Sequence, residues 1–304
     1  MNFAAIILAS LGAAAFFSLA TALKHRSAGQ MAHIDRLTPH SVVGFVWATL
    51  KHPLWLGGIG ADVFGLALQV YALHIGPLSV VQPLLVSAVL FSLIVAHWIA
   101  GTPVSRREIL LGLVLVVAVG GFLVVSGAFE IRDGRTHFWS TVIAAAVAVL
   151  IVVGCVVVAR RGRSNPERAR RAAALLGIAA GTIYACTAAL IKSCTHVLQV
   201  HGPVGLITTW QPYVLLIAGA TGLFLAQMAF QAGPLAASLP ATATTDPLAS
   251  VALGLVIFHE RLHSDPLSVV ASLVCLGAMA TAVVHLSRVR ATFNEGVPAH
   301  QTTP

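Results

Sequence analysis

Nine long apolar runs, separated by short polar or basic segments, account for most of this chain. They fall at residues 3–23, 54–73, 78–100, 108–127, 138–158, 172–194, 212–230, 235–258 and 267–286. At about 1.5 Å per helical residue each can cross roughly 30 Å of hydrocarbon. The pattern therefore predicts an all-α integral membrane protein with nine transmembrane helices. The stretch Ser41–Leu50 is apolar but too short to span, and reads as an interfacial helix in the first loop. The polar segment from Arg288 to Pro304, with Gly296 and Pro298, reads as a disordered tail. The first run has no basic residues before it, and Lys24 and Arg26 follow it. That order predicts a first membrane helix rather than a cleaved signal peptide.

Composition agrees with the pattern. Of 304 residues, 58% are hydrophobic and only 9% charged, against roughly a quarter charged in a soluble domain. A water-facing surface cannot be made from so few charges. The net charge of +8 does not indicate a nucleic-acid partner, because the basic residues sit in short clusters between apolar runs. They set orientation instead. With the N-terminus outside, the cytoplasmic segments hold Lys24, Arg26, Arg36, Lys51, Arg106, Arg107, Arg160, Arg161, Arg163, Arg168, Arg170, Arg171, Arg288 and Arg290. The outer segments hold only Arg132, Arg135, Lys192 and Arg261. The positive-inside bias predicts an N-out, C-in protein of the cell membrane.

The cysteines Cys155, Cys186, Cys194 and Cys275 lie in or at the ends of apolar runs with no C-x-x-C pair, so inert, unbridged thiols are expected. The histidines show no metal-ligand spacing, and no cofactor or nucleotide motif is present.

A repeat is visible. From Gly65 to Pro83 the chain reads G-L-x-L-x3-A-x3-G-P-L-x4-P, and from Gly222 to Pro240 it reads the same. Phe16–Lys24 resembles Tyr184–Lys192 at a nearby offset. Helices one to four then correspond to six to nine, with helix five as a linker. Five crossings separate the two starts, so the repeats enter from opposite sides, an inverted topology associated with secondary transporters. The organisation expected is a first repeat over 1–127, a linker helix and basic cytoplasmic loop over 128–170, a second repeat over 171–287, and the tail over 288–304.

Two carboxylates fall near midplane, Asp62 in helix two and Asp246 in helix eight. An acid there costs several kcal/mol unless paired or hydrated, which makes each a candidate site. Gly58, Asp62, Gly65 and Gln69 share one helical face. Ser238, Thr242, Asp246 and Ser250 share another, with Thr245 beside them. Pro240 and Pro247 are expected to interrupt that second helix and free carbonyls for a substrate or cation. The alternative is a protonated acid cementing two helices. Gln69, Gln82, Gln227 and Gln231 flank the G-P turns, where they serve either a site or interhelical hydrogen bonding. Tyr184 and Thr187 are cavity or packing candidates. Lys24 and Lys192 read as snorkelling to the headgroups, Glu260 and Arg261 as a structural helix-end pair, and Gly177, Gly181 and Ala185 as a close-packing edge.

In its four-plus-one-plus-four plan, its basic segment after helix one and its G-P-L-x4-P turns, the chain resembles the drug/metabolite transporter superfamily. So does Phe258-His259-Glu260-Arg261-Leu262, which is similar to an F-x-E-x-L helix ending common there. Within the superfamily it looks most like EamA-like permeases and NIPA-type magnesium transporters, over residues 3 to about 287. The first half departs from the pattern, with Gly101-Thr102-Pro103 and no carboxylate. The resemblance implies alternating access without an enzymatic activity, a small solute or cation as substrate, and a homodimer as a plausible assembly. In the NIPA type it implies Mg²⁺ as the transported ion, with Asp62 matching approximately an acidic position on the transport path and Asp62 and Asp246 as its metal ligands. Substrate-binding candidates are Asp62, Asp246, Gln69, Thr242, Thr245, Gln82, Gln227 and Tyr184, and the surrounding partners are membrane lipids.

Two other classes compete. Paired membrane aspartates suggest an intramembrane protease, but Gly58-Ile59-Gly60-Ala61-Asp62 is one residue away from G-x-G-D, and neither H-E-x-x-H nor G-x-S-x-G occurs. A scaffold without transport need not carry polar midplane stripes.

Overall fold

In a computed structural model the chain is described at residues 3–30, 52–100, 105–127, 138–160, 166–260, 263 and 265–295. The Ser41–Leu50 segment lies outside them. The described residues form helices α1 (Phe3–Gln30), α2 (Pro53–Ile75), α3 (Leu78–Leu85), α4 (Ala88–Ala100), α5 (Arg106–Val125), α6 (Phe138–Arg160), α7 (Pro166–Thr208), α8 (Gln211–Ala232), α9 (Leu235–Ile257) and α10 (Pro266–Glu295). The fold is all-helical among these residues, with eight segments long and apolar enough to cross a membrane. Many large apolar side chains face outward, among them Val63, Phe64, Leu150, Ile217 and Leu273. An outer surface of this kind is stable only against lipid. The protein is a multi-pass membrane protein.

The eight spans differ from the expected nine at α9. That helix has 23 residues, enough to cross, but Thr242, Thr244, Thr245, Asp246 and two internal prolines hold its apolarity down. Its position explains how it tolerates them. It packs extensively on α7, then on α10 and α3, with lesser contacts to α6 and α8, so protein rather than lipid surrounds much of it.

The α7–α9 seam is made by small residues. A Cβ at Gly177 would stand 2.6 Å from the Ser238 carbonyl, and one at Gly181 would stand 2.8 Å from the Thr242 carbonyl. The expected close-packing edge is therefore real: glycine lets the two backbones touch. Gly65 plays the same part between α2 and α1, where a Cβ would meet the Phe17 ring at 2.9 Å. Beneath these seams a continuous apolar core joins Ile6 of α1, Leu78 and Val81 of α3, Phe122 of α5, Ile191 of α7, Val251 of α9 and Met279 of α10.

Several boundaries depart from the sequence reading. The third span is divided. Pro83 lies inside α3, and the chain turns at Val86–Ser87 before α4 begins, with short-range bonds from the Val86 N–H to the Pro83 carbonyl and from the Ser87 N–H to the Leu84 carbonyl. By contrast α9, expected to be interrupted, runs unbroken through Pro240 and Pro247. α7 begins at Pro166, so Arg168, Arg170 and Arg171 are helical rather than in a loop. It breaks at Gly202, whose φ of 65° lies in the left-handed region that glycine enters without penalty, followed at once by Pro203. α10 continues to Glu295, so the expected tail from Arg288 is helical that far. All four cysteines are unbridged and half-buried, as expected.

Candidate functional site

Asp246 lies eleven residues into α9, about 16 Å from the helix start, which is half the thickness of a bilayer core. Its Oδ1 accepts from the Ser250 hydroxyl, one turn on, at 3.3 Å. Among the described residues no basic group pairs with it. From α7, Tyr184 and Cys186 come within electrostatic reach of the carboxylate, and Gly181 lies against its backbone N–H. Tyr184 rests its ring on Gly222 of α8 and so bridges α7, α8 and the neighbourhood of Asp246.

The break in the third span reaches the same depth. At the end of the bundle where α9 finishes, Gly254 lies against the Ser79 N–H of α3. The chain directions oppose, so eight residues back along α9 and eight forward along α3 lead to Asp246 and to Ser87. The tightened Val86–Ser87 turn thus lies as many residues from that contact as the carboxylate does. Its polar groups are held locally: the Ser87 hydroxyl donates to the Leu84 carbonyl at 2.6 Å, and the Ser18 hydroxyl of α1 donates to the Ala88 carbonyl at 2.6 Å. Pro83 and Pro247 each lack an N–H, which leaves the carbonyls one turn earlier, at Ser79 and Ala243, without their helical donors. Gln82 of α3, only 3% exposed, has an amide nitrogen with no protein partner.

The remaining sequence candidates scatter. Thr242 donates to both the Gly177 and Ser238 carbonyls at 3.1 Å, and Thr245 packs on Gly181. The α9 hydroxyl stripe is accordingly a helix seam at Ser238 and Thr242, and reaches the candidate site only at Asp246 and Ser250. Asp62 and Gln69 are half-buried on α2, which packs against α1 and more sparingly α7, and shares no extensive seam with α9. Gln227 and Gln231 are exposed on α8, away from its buried face of Gly222, Leu225, Ala226 and Ala229. Among the described residues no three His, Cys, Asp or Glu side chains gather as a metal cluster.

A second polar centre was missed by the sequence reading. Lys192 of α7 does not snorkel. Its ammonium donates to Glu260 Oε1 at 2.7 Å and to the Gly76 carbonyl at 3.1 Å, and stands 4.9 Å from the centre of the Phe258 ring. Glu260, just past α9, also accepts from the backbone N–H groups of Leu78 at 2.6 Å and Ser79 at 2.8 Å. Its side chain is 8% exposed and that of Lys192 20%. Glu260 therefore pairs with Lys192 and caps α3; Arg261, its partner in the expected helix-end pair, lies outside the described residues. Nearby, the Gln199 amide and the His74 ring meet at 3.0 Å.

No family model and no solved structure matches the chain. It is 28% identical over 286 residues to an uncharacterised protein of Corynebacterium glutamicum, and the likeness covers 93% of this chain and 94% of that one.

Proposed function

We propose that the protein is a secondary transporter of the drug/metabolite transporter type, moving a small solute or cation by alternating access, with Asp246 as its central ionisable group. The observation that carries this reading is a carboxylate at midplane depth in α9 with no basic partner among the described residues, in a bundle whose third span also turns at Val86–Ser87. An ionisable side chain in hydrocarbon is expensive and marks substrate or proton paths. Discontinuous helices at that depth are the usual means by which carriers present backbone groups to a substrate.

The repeat supports it. The seam of α1 with α2 has its counterpart in that of α7 with α8, and the packing of α1 on α3 and α4 has its counterpart in that of α7 on α9. Two further seams, α3 with α9 and α5 with α10, join elements that the repeat makes equivalent. This is the pairing expected of two inverted four-helix units meeting across a pseudo-two-fold axis; the N-out orientation in the cell membrane rests on the basic clusters alone.

One carboxylate flanked by a serine and a tyrosine suits proton exchange with a neutral or singly charged solute. Direct coordination of Mg²⁺ asks for several oxygens at about 2.1 Å, and favours instead a site to which Asp62 also contributes. Purified protein in liposomes, loaded with a pH dye or a Mg²⁺ indicator and challenged with a solute panel, separates these readings. Asp246→Asn is expected to reduce flux at least tenfold, while Gln227→Ala, on an exposed face, leaves it within about twofold. If no solute or ion moves through the wild-type protein, or if Asp246→Asn and Asp62→Asn both behave as wild type, the proposal fails.

A further inference from the structure

We propose that the Lys192–Glu260 pair, clamped onto the first turn of α3, is a one-sided gate that holds the bundle closed at the end where it lies. The inference rests on the alternating-access reading and adds to it the part that opens.

Three elements meet at this point. Glu260 follows α9, Lys192 lies in α7 ahead of its break at Gly202, and Leu78 and Ser79 begin α3. α3 belongs to the first half of the chain, α7 and α9 to the second. The G-P turn leaves α3 without a cap of its own, since Pro77 precedes it and no side chain of its own sequence bonds its first N–H groups. Those donors, at the positive end of the helix, are satisfied by a carboxylate from the other half. Lys192 then balances that carboxylate and reaches the carbonyl of Gly76 in the same turn. The link is chemical as well as steric: Gly254 leaves no room for a Cβ beside Glu260, so the carboxylate is seated against the α9 backbone.

Separating α3 from α7 and α9 breaks three hydrogen bonds at once, those of the Leu78 and Ser79 N–H groups to Glu260 and that of Lys192 to the Gly76 carbonyl, and opens the bundle at this end. At the other end Lys24 is the sequence counterpart of Lys192, but Glu260 has no counterpart carboxylate. At the repeat offset the position of Glu260 falls on Pro103, within Gly101-Thr102-Pro103. There, Gly233 before α9 lies against the Ala169 backbone of α7, a steric contact. Among the described residues the Glu260 end is held by an ion pair with hydrogen bonds and the Gly233 end by packing, so the two ends open with unequal ease, and the state closed at the Glu260 end is favoured.

Glu260→Gln strands the Lys192 ammonium in the closed state, where it is buried, but not in the open state, where water reaches it. Lys192→Met has a smaller effect, because the carboxylate retains the two α3 N–H donors. Exchanging the charges, with Lys192→Glu and Glu260→Lys together, restores the ion pair in name only, since an ammonium then faces those donors.

The test uses full-length protein with Cys155, Cys194 and Cys275 replaced by Ser, leaving Cys186, half-buried on α7, as the single thiol. In liposomes, a membrane-impermeant maleimide is applied from each side in turn. From the side that carries Glu260, Glu260→Gln is expected to raise the labelling rate at least about tenfold, with a fall from the opposite side. Lys192→Met should give a smaller rise in the same direction, and it carries the test should the first variant not fold. The charge exchange should label like Glu260→Gln. The gate is overturned by unchanged labelling in the folded variants, by an equal rise from both sides, or by recovery of the wild-type rate in the charge exchange. A wild-type protein that transports nothing would remove the transporter reading without altering the labelling result.

Discussion

Gly181→Ala adds a single methyl group to the α7–α9 seam, and the geometry fixes what that methyl meets. It would stand 2.8 Å from the Thr242 carbonyl oxygen, 2.9 Å from the Thr245 Cβ and 3.1 Å from the Asp246 backbone nitrogen. Ordinary contact begins near 3.4 Å, so the seam must open by about half an ångström against backbone, which cannot rotate away as a flexible side chain can. Overpacking of this kind costs about 1–3 kcal/mol. Alanine's better helix propensity returns about 1 kcal/mol, leaving a net loss of about 0–2 kcal/mol. The control is Gly277→Ala on α10, where a Cβ meets nothing within 4 Å; only the propensity gain applies, and it should be neutral or slightly stabilising. Thermal or denaturant unfolding of the purified variants in micelles, followed by tryptophan fluorescence, compares the two directly. The displaced seam also carries Asp246, so flux should fall in Gly181→Ala and not in Gly277→Ala. Equal stability of the two alanine variants would refute the reading of α7 and α9 as a backbone-to-backbone contact.

Ser105→Ala removes one half of the capping box that starts α5, in which the Ser105 hydroxyl accepts from the Glu108 N–H and the Glu108 carboxylate accepts from the Ser105 N–H. It should cost about 1 kcal/mol, read in the same unfolding assay, and leave transport intact. Asp265 accepts from the Ser268 N–H at 3.0 Å at the start of α10, and this bond holds its carboxyl below the ordinary 3.8. A folded-state value below the unfolded one stabilises above the unfolded value, and the contribution is lost as pH falls through the folded one. Hydrogen exchange at the first turn of α10 should therefore stay constant from pH 7 to 5, apart from the intrinsic rate, and rise only below about 4.

What could be read in advance follows from what each interaction depends on. Span positions depend on local apolarity, so the pattern located them, and it located the Gly177–Gly181 edge because small residues one turn apart have few other uses in lipid. The state of a proline-bearing helix is not a local property. Pro240 and Pro247 looked like the breaks, yet α9 stays whole, with Thr242 bonded into α7 and protein around it. The actual turn follows Pro83, where the Ser87 and Ser18 hydroxyls bond the Leu84 and Ala88 carbonyls on either side of it. The Lys192–Glu260 pair joins residues 68 apart and depends on the path of the chain. A lysine near a helix end looks the same whether it reaches for headgroups or for a buried acid. Gln227 shows the reverse: an amide in a suggestive position whose helix turns it outward.

The weak apolarity of α9 bears on how the protein is made. A helix carrying an aspartate at its centre enters the bilayer with a penalty of about 2.5–3.5 kcal/mol for that residue alone. α7 and α8 precede α9 in synthesis, so a glycine-lined groove is already in the membrane when α9 leaves the ribosome. The side of α9 that lipid accepts poorly is the side that finds this groove. Lateral release of α9 from the translocon is thus coupled to its docking on α7. A variant that fills the groove is expected to act during biogenesis, by lowering the yield of inserted protein, before it can act on the finished protein.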